Sequence, residues 1–144
     1  MASAVTTERA TSAIAVTQYD YDPGATTLSD VAWVDMQGYD WFAVVFFRTI
    51  GTSTLVLNII ANEESNGSGT DVNIKTHAFG GGQPDAVGDY IFLSCVAEEI
   101  RSVDSDARYV SANLSVATNT DEAVITYIRG GGRQYTGLSS ENIA

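Results

Sequence analysis

The stretch "TYIRGGGRQYTG", from Thr126 to Gly137, is where the chain most resembles a chemical site. A strand-like run ends in three glycines, with Arg129 before them and Arg133 after. Glycine lets backbone N–H groups approach a ligand, and arginine grips phosphate or carboxylate in bidentate fashion. Phosphate binding fails on spacing. A P-loop needs a lysine directly after its glycines and a helix behind them, and "RQYTGLSSENIA" is too short and polar for that helix. A dinucleotide fingerprint needs a βαβ unit, which the run of strands does not provide. Two readings remain open for Arg129 and Arg133: a solvated strand end, or a local positive spot suited to a carboxylate on a partner protein.

Other chemistries find few residues to work with. One histidine, His77, and one cysteine, Cys95, exclude a zinc site built within one chain from the usual Cys and His ligands. "NEESNGSGTDVN" places Asn62, Glu64 and Asn66 at alternate positions before Gly67, but the first and twelfth places of a calcium loop both hold Asn. It reads as a solvated hairpin loop. The pairs Asp104/Asp106 and Asp20/Asp22 read as turn formers. His77 is the only candidate base for a nucleophilic triad, and no G-x-S-x-G elbow exists. The neighbouring acids Glu63/Glu64 and Glu98/Glu99 would point to opposite faces of a strand, unlike the opposed carboxylates of a glycosidase. The expectation is a protein that is not an enzyme and that uses no metal or cofactor. Trp33, Trp41, Tyr19, Tyr21, Tyr39, Tyr90 and Tyr135 are open to three uses: core, subunit contact or a sugar-binding platform.

The elements that must carry these residues are strands. "YDWFAVVFFRTI" (39–50) is rich in aromatic and β-branched residues. Tyr39, Trp41, Ala43, Val45 and Phe47 fall on one face, and Asp40, Phe42, Val44, Phe46 and Arg48 on the other. Both faces are apolar in the middle, so neither should be fully wet. Gly51-Thr52-Ser53 reads as a hairpin turn into "TLVLNIIA" (54–61). Further strands are expected at 13–18, 31–36, 71–79 and 123–129, and at 90–100, which ends in acids. The run 107–118 turns Val110, Ala112, Leu114 and Val116 inward. Residues 19–27, 62–70, 80–89 and 119–122 read as turns and loops. No segment shows a convincing helical period. Residues 1–13 read as an arm and 130–144 as an extended tail. About eight strands in one undivided domain predict an all-β fold, an antiparallel β-sandwich of jelly-roll type.

Composition agrees. The chain has 144 residues, 44% of them hydrophobic and only 17% charged, with 13 glycines. Its formal net charge of −11 opposes nucleic acid and anionic membranes. No apolar run is long enough to span a bilayer. Glu8 and Arg9 interrupt any signal-like apolar region, so the expectation is synthesis in a cytoplasm without export by the usual route. Cys95, within "IFLSCVA", reads as a buried and inert thiol.

The segment "AEEIRSVDSDARYVSANLSVATNTDEAVITYIRGGGRQ" resembles small virion proteins of tailed bacteriophages, in which an "RYV" strand, a Thr/Asn turn, an "AVITYI" strand and a Gly/Arg release follow one another. Upstream, "DMQGYDWFAVVFF" and "GTSTLVLNIIANEESNG" resemble the same layout, and the similarity spans roughly residues 31–135. The resemblance implies a β-sandwich structural protein of the phage particle, often a head decoration or cement protein bound to the major capsid protein. It leaves head against tail open. In it Arg108-Tyr109-Val110 match the start of a strand, and Arg129 and Arg133 its end. No catalytic residue is implied. On this reading the glycines release the tail across a neighbouring subunit, with Arg129, Arg133, Tyr135 and Trp41 as interface residues. The two-sided strand 39–50 predicts self-association, as a homotrimer or else a dimer. Alternatives are a tail or baseplate module, and a glycan-binding β-sandwich.

Overall fold

The computed structural model describes residues 14–21, 32–52, 55–78, 86–115 and 121–131. Within them lie β1 (Ile14–Tyr21), β2 (Val34–Asp35), β3 (Trp41–Ile50), β4 (Val56–Asn62), β5 (Val72–Ala78), β6 (Tyr90–Val96), helix α1 (Ala97–Val103), β7 (Tyr109–Ser115) and β8 (Glu122–Gly130). Two four-stranded antiparallel sheets form, in the orders β1-β8-β3-β6 and β2-β7-β4-β5. Strand 1 thus pairs with 8, 2 with 7, 3 with 6 and 4 with 5. The chain behaves as one long antiparallel ribbon rolled up on itself, which is the jelly roll.

The core lies between the two sheets. From the first sheet come Phe42, Val44, Phe46, Ile125 and Tyr127, and from the second Leu57, Ile59, Val110, Ala112 and Leu114, all essentially sealed from solvent. The alternation expected for 107–118 places Val110, Ala112 and Leu114 inward, and of the two faces expected for 39–50 the one with Phe42, Val44 and Phe46 points inward. The phenol of Tyr127 crosses the core and accepts the Ala112 N–H at 2.7 Å. β2 pairs only Val34 and Asp35 with β7, so Ala112 lies beyond its reach, and a side chain from the opposite sheet supplies the partner.

Several expectations require correction. β3 and β4 are not a hairpin: they belong to different sheets. Gly51, at φ +101°, directs the chain out of the first sheet, so its turn chemistry marks an arch between sheets. The strand expected over 90–100 stops at Val96, and α1 follows. Glu99 starts that helix by accepting the Val96 N–H at 2.8 Å, while Ala97 and Ile100 bury its inner side. Tyr19–Tyr21, expected in a turn, complete β1. Val116 and the turn residues 119–120, like the arm 1–13 and the tail 132–144 with Arg133 and Tyr135, lie outside the described residues.

Candidate interaction surface

The outer faces of the two sheets differ sharply. On β2-β7-β4-β5, side-chain amides and a hydroxyl hydrogen-bond one another across three strands. Asn58 Nδ2 donates to Asn113 Oδ1 at 3.1 Å, Thr76 Oγ1 donates to Asn58 Oδ1 at 2.8 Å, and Asn73 Nδ2 donates to Thr76 Oγ1 at 2.8 Å. This is a water-facing surface whose polar groups satisfy each other.

The outer face of β1-β8-β3-β6 is apolar. Register places Ile14 beside Gly130 and Trp41, and the latter beside Val96. Likewise Val16 adjoins Ile128 and then Ala43, and Phe47 adjoins Tyr90. Val45 lies between Thr126 and Phe92. Ile14, Val16, Phe47, Tyr90, Phe92 and Val96 are each 42–68% exposed. Among the described residues, the outward positions of β3, β6 and the Val124–Gly130 part of β8 carry no charged side chain. Lone exposed apolar residues are ordinary, whereas a contiguous patch of this kind marks a contact surface.

Trp41, expected at an interface, lies on this face. Its indole lies over Gly130, where a Cβ would fall 2.2 Å from the ring. The next residue, Gly131, turns out of the sheet at φ +78° beside Asp40. Gly130 therefore admits the tryptophan and Gly131 lets the chain leave, two functions that the triplet's composition alone did not separate.

Arg129, expected at an interface, is engaged within the chain. Its side chain points inward, donates from Nη1 to the Asp35 backbone oxygen, and stacks 4.7 Å from the Tyr39 ring centroid. It latches β8 to β2 across the two sheets. Asp35 is engaged a second time, because Arg108 Nε and Nη2 donate to its two carboxylate oxygens at 2.9 and 2.6 Å. That fork holds the Asp35 carboxyl below its ordinary pKa, with the Gln37 N–H and the Arg129 charge assisting. Arg108, matched by resemblance to the start of a strand, thus fastens β7 to β2.

The remaining candidates resolve into structure. Asn62 is fully buried and closes the 62–71 loop. Its Nδ2 donates to Asp71 Oδ1 at 2.6 Å, and its Oδ1 accepts the Glu64 N–H at 2.8 Å. His77 is half-buried on β5, opposite Leu57. Among the described residues no group of three or more His, Cys, Asp or Glu is placed to hold a metal. Burial pushes the Cys95 thiol up to about 12, with the Glu99 charge adding to it. The described aromatics divide among several places, with Trp41 and Tyr90 on the apolar outer face. Tyr19 packs in the core at 4.8 Å from Tyr127, Tyr39 lies under Arg129, and Trp33 lies against the backbone of Gly67. No helix among the described residues is long and apolar enough to cross a membrane.

No family model and no curated protein matches the sequence. Solved structures similar to it include the SPBc2 prophage-derived protein YomS, at TM-score 0.46 and 11% identity, covering 81% of this chain and 95% of that one. A structure described as Bacillus endospore appendages, a family of disulfide-linked pili, aligns at TM-score 0.43 and 15% identity, covering 82% and 88%. The CBM22-1–GH10 modules of a Clostridium thermocellum xylanase align at TM-score 0.41 and 9% identity, covering 84% of this chain and 26% of that one. The assignment to the jelly roll rests on the strand order itself.

Proposed function

We propose that this chain is a structural protein of a bacteriophage particle, specifically a head decoration protein on the outer surface of the major capsid protein lattice. Its proposed partners are the major capsid protein and further copies of itself, without nucleic acid, membrane, cofactor or catalytic step. The observation that carries the reading is where the chain enters and leaves the sandwich. β1 pairs with β8 along its whole length with Ile14 opposite Gly130, so the first described strand starts and the last one ends at one corner, beside Trp41 and Asp40. A body held at one corner by two terminal segments suits attachment to a lattice, where the contact repeats by symmetry. The resemblance over residues 31–135 points the same way. A glycan-binding sandwich gains no support from the amide row, whose groups already hydrogen-bond one another.

The test is binding to purified empty capsids by full-length protein and by a chain ending at Gly130. The truncated protein is expected to melt close to wild type and to attach more weakly. Arg133→Ala and Tyr135→Ala should each lose about thirtyfold in affinity, the equivalent of about 2 kcal/mol for one interface anchor. Unchanged attachment of the truncated chain refutes the proposed role of the tail, and absence of capsid binding by the full-length protein refutes the decoration reading.

A further inference from the structure

We infer that the apolar outer face of β1-β8-β3-β6 is the interface of a two-fold dimer, covered by the same face of a second copy. The inference does not depend on the chain belonging to a phage particle. Its first support is area. The six side chains exposed on that face offer about 100 Å² each, roughly 600 Å² before the half-buried Trp41, Val45, Thr126 and Ile128 are added. A specific interface needs about 800 Å² per partner, so one sheet face is close to sufficient when the partner is another sheet of equal size. Two sheets of this kind pack face to face at about 10 Å, as the inner faces already do.

Charge is the second support. The chain carries 18 acids against 7 bases, so two copies repel one another over most orientations. On this face three strands present no charge between Val124 and Gly130, Trp41 and Phe47, or Tyr90 and Val96. At the β6 edge, a cleft of about 320 Å³ is walled by Trp41, Phe92, Ser94 and Val96 and closed by Lys75 and Glu99. These two residues pair at 3.1 Å and are each about 40% exposed. One charge of each sign leaves this edge without net charge, the acids at outward positions, Asp20 and Glu122, fall at the far end of the sheet, and an uncharged interior offers a charged foreign partner nothing to grip. Copies therefore approach through this face at least electrostatic cost.

Symmetry favours a pair over the trimer expected from sequence. A single flat patch that matches itself makes an isologous contact, and a trimer needs two different complementary patches. Val45 and Thr126 are register partners on the two central strands of the face, so the two-fold axis passes close to them.

The test is sedimentation equilibrium of the full chain up to several hundred micromolar, for wild type, Phe92→Lys and Thr70→Lys. Thr70 lies exposed in the polar 62–71 loop and controls for the added charge. Wild type and Thr70→Lys should show a concentration-dependent dimer, and Phe92→Lys should raise its Kd by about tenfold or more. Circular dichroism melts establish that each variant folds, and Tyr90→Lys, at the more exposed end of the strand, replaces Phe92→Lys if that variant does not. A wild-type protein that stays monomeric overturns the inference, as does an oligomer indifferent to both substitutions. Monomeric protein that binds empty capsids and loses that binding with Phe92→Lys also overturns it, and assigns the face to the capsid protein.

Discussion

Arg48 Nη1 lies 3.0 Å from Asp121 Oδ1 in the interior, with both side chains sealed from solvent. The contact ties β3 to the residue that opens β8, at the point where Gly51 turns the chain toward the second sheet. A Cβ on Gly51 would fall 2.2 Å from the same carboxylate oxygen and 3.0 Å from Arg48 Nη1. Gly51 therefore supplies both a left-handed backbone and the space in which the pair sits.

Breaking this pair from one side leaves a buried charge without this counter-ion. Arg48→Met is expected to cost about 3–5 kcal/mol in urea denaturation, and Asp121→Leu a similar amount. The double variant should recover much of that loss, because it removes both desolvation penalties at once. A double variant as unstable as the sum of its parents shows that the two residues are not coupled.

Tyr127→Phe should destabilise the fold by about 1–3 kcal/mol although the ring itself is kept. The lost hydroxyl is the acceptor for the buried Ala112 N–H, and an unsatisfied buried donor costs its full desolvation. Denaturation midpoints, read with hydrogen exchange at Ala112, check this. A neutral substitution means that water replaces the phenol oxygen.

Stability should fall on acidification. The Arg108 hydrogen bonds lower the pKa of Asp35 from 3.8, and those from the Val96 N–H and Lys75 lower that of Glu99 from 4.5. Each carboxylate keeps its charge further into acid when folded than when unfolded. Its contribution is complete above the unfolded pKa and disappears as pH falls from about 4.5 through the lowered folded values. Both groups are partly exposed and screened by solvent, so the effect is small and shrinks with salt. Thermal melts of wild type, Asp35→Asn and Glu99→Gln between neutral pH and acid should converge as pH drops. Parallel curves would refute the assignment.

Cys95 should resist alkylation in the native protein. It is 2% exposed and its thiol is pushed up to about 12, so almost no thiolate exists near neutrality. Ellman's reagent should react at the rate of unfolding, and promptly in denaturant. Prompt reaction under native conditions shows that β6 opens locally.

Strand periodicity made the sandwich legible, since β7 buries Val110, Ala112 and Leu114 as the alternation of 107–118 predicts, and strands form within 39–50 and over 123–129. Arg48 carried a hint: it continues the parity of Phe42, Val44 and Phe46, which places a charge in the core. Its partner lies 73 residues away, beyond any local pattern. The arch at Gly51 was misread because glycine followed by Thr and Ser looks the same whether a chain returns beside itself or crosses to another sheet. Helix α1 was missed because seven residues bury only Ala97 and Ile100, too few for a period. Its one signal was Glu99, three places after Val96, in position to hold the first turn. The glycine triplet drew attention to the right corner, but the inward direction of Arg129 follows from the parity of β8, which residue type alone does not reveal.

The pairing of β1 with β8 also sets an order of events during synthesis. Of the described strands, the first in the chain has only one sheet neighbour, and that neighbour is the last of them in the chain. Until it is made, Ile14 and Val16 belong to an unfinished edge. The first sheet therefore cannot close until β8 has been made, and a product that stops before β8 lacks the strand that joins β1 to β3.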